Sequence, residues 1–128
     1  MSLISIPGRT LCVLERALDL LSIRHQATAN NIANVDTPGY QARRFDFESQ
    51  LRRAIGPSDR AADASERDIA GVTGCVRADA GPARADGNNV HIEREVAALA
   101  RTGAQYTVLA KLIAARLRAL QDVVAERG

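Results

Sequence analysis

The chain offers few side chains that could do chemistry, and their spacing limits them further. His25 and His91 are the only histidines, and Cys12 and Cys75 the only cysteines, all far apart in sequence. Zinc would need ligands clustered at short intervals, and no such cluster exists. A general base needs a partner within hydrogen-bond reach, yet no cysteine or carboxylate cluster accompanies His25. No Ser-His-Asp set, catalytic carboxylate pair or glycine-rich phosphate loop is present. The sequence therefore predicts no catalytic, cofactor-binding or metal-binding residues. Two unpaired thiols are expected rather than a disulfide framework.

The one stretch with unusual local chemistry is Ala29–Tyr40, Ala-Asn-Asn-Ile-Ala-Asn-Val-Asp-Thr-Pro-Gly-Tyr. Proline removes a backbone donor and pushes the residue before it out of the α region, while glycine takes positive φ without a steric penalty. Thr37-Pro38-Gly39-Tyr40 is thus expected to form a type II turn that stops a helix sharply. Asn30, Asn31 and Asn34 ride beside it, placed for hydrogen bonds at a subunit contact.

A helix over residues 10–36 leads into this corner, with Thr10 as its N-cap. Its seam is Leu11, Leu14, Leu18, Leu21, His25, Thr28, Ile32 and Val35, alternating steps of three and four as in a coiled coil. His25 is read as a polar layer fixing register. Val13, Leu20 and Ala27 form a weaker second stripe that calls for further partners. Residues 37–55 hold the corner, an extended run and a short helix over 48–54 capped by Asp46. Arg43, Arg44, Arg52 and Arg53 make this the most basic part of the chain. Acids interrupt the cluster, so an acidic neighbouring subunit fits it better than a phosphate backbone. Residues 56–89 are poor in aliphatics and are expected to be a flexible central segment. Asp86-Gly87-Asn88-Asn89 is a turn signal.

The second long helix occupies residues 90–126. Its seam is Ile92, Val96, Leu99, Gly103, Tyr106, Ala110, Ile113, Leu117, Leu120 and Val124, with the small residues Gly103 and Ala110 admitting close neighbours. Val108, Leu109, Leu112 and Val123 lie off it, so this helix carries more apolar surface than one partner needs.

The expected fold is all-α: one domain over residues 1–128, an antiparallel coiled-coil-like pair of terminal helices joined through the corner, short helix and flexible segment. With 3% aromatic residues and no Trp, the core would be small and marginal alone, which favours oligomerisation. Seventeen basic against fifteen acidic residues leave no nucleic-acid footprint. No run approaches a membrane span, and the N-terminus lacks the basic region of a cleavable signal peptide.

The Ala29–Tyr40 stretch closely resembles the N-terminal signature of bacterial flagellar rod and hook proteins. The short length, the run Arg43-Arg44-Phe45-Asp46-Phe47, and Asp86-Gly87-Asn88-Asn89-Val90 followed by Glu95 and Tyr106 look like the proximal rod members of that family. The resemblance covers residues 10–55 and 86–125. It implies a structural subunit of the periplasmic basal-body rod, exported unfolded by the flagellum's own type III apparatus. It also implies self-association in a helical tube, with other rod proteins, a small basal adaptor and the membrane-ring protein as partners, and no small-molecule substrate. The competing readings are a cytoplasmic helical adaptor or export chaperone, and another axial subunit such as a distal rod or hook protein. Those axial subunits usually carry an inserted domain, for which residues 56–89 are too few.

Overall fold

The computed structural model describes residues 5–56 and 65–127. Two long helices dominate, α1 (Ser5–Ala33) and α4 (Ile92–Arg127). Between them lie β1 (Arg43–Asp46), α2 (Glu48–Ile55), α3 (Glu66–Ala70) and β2 (Cys75–Ala78). No described helix is long and apolar enough to cross a membrane.

Helix α1 starts at Ser5, ahead of the expected Thr10, and takes in Pro7 and Gly8. Proline is tolerated there because the first N–H groups of a helix have no intrahelical acceptor to lose. The helix ends at Ala33, after which the amide of Val35 bonds to Ile32 O and that of Thr37 to Asn34 O as the chain tightens toward Pro38. Helices α1 and α4 run antiparallel. Asn31 near the end of α1 meets Glu95 near the start of α4, whereas Leu21 and Leu109 meet further along.

An all-α description is only approximate. Strands β1 and β2 pair antiparallel, Phe45 opposite Val76 and Asp46 opposite Cys75. The expected flexibility of residues 56–89 gives way, over 65–89, to α3, β2 and a hydrogen-bonded loop. Residues 57–64 of that segment lie outside the described residues. Ser65 caps α3, its Oγ accepting from the Asp68 amide at 3.0 Å. Asp46 does not cap α2. Phe47 holds the N-cap position without a side-chain bond, and Asp46 instead pairs across the sheet with Arg77.

The core explains why this segment is ordered. Leu20, Leu21, Phe45, Phe47 and Val72 pack together, with Ala27, Leu51, Ala54 and Leu109 against them. Leu20 is fully buried, so the second stripe of α1 is covered by the chain's own β1, α2 and α3 region. The guanidinium of Arg16 on α1 also bonds to Val72 O, through Nε at 2.7 Å and through Nη2. Phe45, Phe47 and Val72, with Leu51, Ala54 and Leu109 beside them, therefore pack with Leu20 and Leu21 of α1. Burial of such side chains contributes about 1.5–3 kcal/mol each, one part of what offsets the ordering of the central segment.

Cys12 is half-buried, Cys75 exposed, and both are free thiols. Burial, with Glu66 and Glu15 nearby, holds the Cys12 thiol above its usual range.

Gly74 carries φ +74°, and a Cβ built there would lie 2.2 Å from the Phe45 ring. Gly56 has φ +81° but open space around it. Gly74→Ala is expected to lower stability by about 2–4 kcal/mol, because φ strain adds to displacement of a core ring. Gly56→Ala, with strain alone, should cost about 1 kcal/mol. Urea unfolding followed by circular dichroism measures both; equal losses would show that the Phe45 contact has no part in the difference.

Candidate functional site

The described residues contain no group of histidines, cysteines and carboxylates able to hold a metal. What the structure builds with care is the corner. The Tyr40 amide donates to Thr37 O at 3.3 Å and Gly39 has φ +74°, the geometry of the expected type II turn. That turn docks on a second one. Gly39 N donates to Asp86 O at 2.8 Å, and Gly87, at φ +84°, sits so close that a Cβ there would be 3.3 Å from the Gly39 Cα. Two glycines meet where side chains would hold the turns apart.

Three buried asparagines fasten the two turns and the neighbouring strand. Asn88, fully buried, donates its Nδ2 to Asn34 O and Thr37 O, each at 2.8 Å, while its Oδ1 accepts from the Val90 amide. Asn89 accepts the Ala42 amide at 2.6 Å and donates to Asp79 O and Gln41 Oε1. Asn31 donates to Arg43 O and to Glu95 Oε2, and accepts from the Arg43 amide and the Tyr40 hydroxyl. Arg84 closes the far side by donating to Val90 O and Val35 O. Among the described residues no buried side-chain nitrogen or oxygen lacks a partner. An unmet buried polar group costs about 1–3 kcal/mol, so a fully satisfied network of this kind specifies one arrangement.

Of the expected corner residues, Asn31, Asn34, Thr37, Gly39 and Tyr40 thus all take part in bonds within the chain. Asn34 Nδ2 returns to Asn30 O and its Oδ1 accepts from the Thr37 hydroxyl. Pro38 and the Asn30 side chain face outward. Asn31 is 1% exposed, so the expectation that it serves a subunit contact does not fit. Asn88 and Asn89 read in the sequence only as turn formers. Their role follows from α4 bringing them beside residues 34–42, a long-range neighbourhood that no local pattern records.

The seam residues divide. Leu21 is buried, and Leu11, Leu14, Leu18, Ile32, Val35, Leu99 and Ile113 are half-buried between the helices and the corner. Val96, Tyr106, Leu117, Leu120 and Val124 are exposed, as are Val108, Leu112 and Val123. The buried positions early in α4 are Glu95 and Thr102, each one residue before an expected seam position. The Glu95 carboxylate is satisfied at this buried position by the hydrogen bond Asn31 donates to it. His25 is exposed, so it forms no polar layer. It borders a 230 Å³ hollow with Ser22, Gly103 and Tyr106, and nothing approaches Gly103 within the chain.

Arg24 ties α1 to β1 and α2. Its Nε donates to Phe45 O at 3.0 Å, its Nη2 to Glu48 Oε2 at 2.7 Å, and its guanidinium lies 4.5 Å above the Phe47 ring. The Arg24 hydrogen bond chiefly holds the Glu48 carboxyl down at about 2, against an ordinary 4.5.

The described residues thus form a long helix pair closed at one end by a hydrogen-bonded corner. The family model described as "Flagella basal body rod protein" matches residues 11–41, a span that runs along α1 and through the Pro-Gly corner. The chain is 32% identical to flagellar basal body rod protein FlgB of Bacillus subtilis, over 94% of this chain and 96% of the relative. It is 32% identical to the Borrelia hermsii protein of the same name, over 85% and 90%. To the Escherichia coli K12 protein it is 30% identical, over 86% and 88%. The chain belongs to the FlgB family of flagellar basal body rod proteins.

Two outcomes are expected. Asn88→Ala should cost about 2–3 kcal/mol, since Asn34 O and Thr37 O lose their shared donor inside the protein; urea unfolding gives the value, and a loss under 0.5 kcal/mol would show the network to be dispensable. A carboxyl held below its unfolded value stabilises the fold above about pH 4.5, and that contribution disappears as pH falls through about 2. The stability gap between wild type and Glu48→Gln should therefore shrink from pH 5 to pH 2. Because Glu48 is half-exposed, solvent screening keeps that gap small.

Proposed function

We propose that the chain is a proximal subunit of the flagellar basal-body rod, a structural part whose work is helix packing rather than catalysis. Family membership supports the rod assignment, and one observation supports the manner of assembly. The C-terminal half of α4 presents Leu117, Leu120 and Val124, 45%, 42% and 71% exposed, on a helix with no described partner along that face. Leu117, Leu120 and Val124 also border an open apolar hollow of 440 Å³. Large apolar faces on soluble helices mark contacts with other subunits. In this reading the exposed half of the α4 seam packs on neighbouring subunits in a helical tube. The corner fixes how α1 and α4 are presented to them.

The partners of this assembly are copies of the same chain, other rod proteins, the small adaptor at the rod base and the membrane-ring protein. The subunit reaches the periplasmic rod through the flagellar type III export apparatus. Tagged wild-type chain should appear in purified basal bodies. Leu117→Asp/Leu120→Asp should keep its helical content as a monomer, since both side chains are already exposed, yet be lost from basal bodies at least tenfold and abolish motility. Normal incorporation and motility of that variant would remove this face from the assembly.

A further inference from the structure

A cleft of about 310 Å³ opens between α1, β1 and α4 on the side of the pair where Arg24 ties α1 to the sheet. Five arginines and three carboxylates line it. The carboxylates are all engaged within the chain: Glu48 with Arg24, Asp46 with Arg77, and Glu95 with Asn31. Arg44 is engaged too, with Asp79 at 3.0 Å. Arg43, Arg94 and Arg101 are exposed, and among the described residues none has a carboxylate within ion-pair distance. Within this cleft the cations without an ion pair are therefore Arg43, Arg94 and Arg101.

Their spacing is regular. Arg94 and Arg101 stand seven residues apart on α4, two turns or about 10.5 Å along the axis on one face. Arg43 is on strand β1 across the cleft. We propose that this cleft docks an acidic helical segment of a neighbouring rod subunit, with carboxylates one or two turns apart set against Arg94, Arg101 and Arg43. The proposal rests on the rod reading above and names the chemistry of one contact within it.

Guanidinium groups hold carboxylates through paired N–H donors, so a helix offering acids at that interval matches the Arg94–Arg101 spacing, with Arg43 lining the same cleft. A nucleic-acid backbone fits poorly, because three carboxylates break the cleft's potential and the whole chain carries only +2. A small anion fits poorly as well, since all three arginines are exposed and none encloses it.

The test places a photoreactive amino acid at Gln105, which lines the cleft without joining its charges. Cross-linking is done in motile cells, and the peptide joined to this chain in purified basal bodies is identified by mass spectrometry. The expected peptide belongs to another rod chain or a second copy and carries Asp or Glu at intervals of three, four or seven. Arg94→Glu/Arg101→Glu should abolish that cross-link and reduce incorporation at least tenfold, whereas Arg94→Lys/Arg101→Lys retains most of both. A cross-linked segment without carboxylates, a cross-link to nucleic acid, no cross-link at all in basal bodies that contain the chain, or full incorporation of the charge-reversed variant would overturn the proposal. Absence of the unmodified chain from basal bodies would instead contradict the rod reading itself.

Discussion

The structure depends on Asn88. Its buried amide holds two carbonyls of the Pro-Gly corner, while its Oδ1 receives the amide of Val90 just before α4 begins. That side chain ties the end of α1 to the start of α4, together with the Asn31–Glu95 bond and the Arg84 bridge. The glycines at 39 and 87 allow the two turns to come within reach, and Asn31 and Asn89 extend the hold to β1 and to Glu95. Each bond is modest against water, about 1 kcal/mol net, but breaking any of them strands a partner away from solvent. The network works by making alternatives costly.

From that clasp the remaining features follow. With α1 and α4 held antiparallel, one face of α1 is left over. Phe45, Phe47, Ile69 and Val72, brought from the central region, are all buried, and Phe45, Phe47 and Val72 close over Leu20 on that face. On α4 the N-terminal half is turned toward the clasp, so Glu95 and Thr102 are inside and Val96 is out. The C-terminal half of α4 runs on with its apolar residues uncovered. One end of the molecule is thus locked within the chain, while at the other the apolar side chains of α4 are exposed.

Much of this was legible in the sequence. The two long helices, the type II turn and the extended run after it follow from three-four spacing and from Pro38-Gly39. The family resemblance, carried by residues 29–40, agrees with the relatives matched along most of the chain. The sheet was not legible: all four residues of β2 are exposed, so no alternation marks them, and their partners lie 29–35 residues earlier. Phe45 and Phe47, two apart with Asp46 between, were the one local sign of β1. The second stripe of α1 was read as needing further partners, whereas Leu20 and Ala27 pack within the chain's own core. The inward face of α4 was missed because periodicity counts apolar residues, and here a glutamate and a threonine are buried against hydrogen-bond donors and neighbours that only the fold brings near.

Native-state hydrogen exchange at the amides of Ala42, Arg43 and Val90 is the most direct measurement of the clasp, because each donates to one of the three asparagine side chains. The account predicts that these three amides exchange only with the middle of α1, near Leu20 and Leu21, by the same global opening. Rapid exchange at all three while the middle of α1 stays protected would contradict it, showing a corner that opens freely and holds nothing in place.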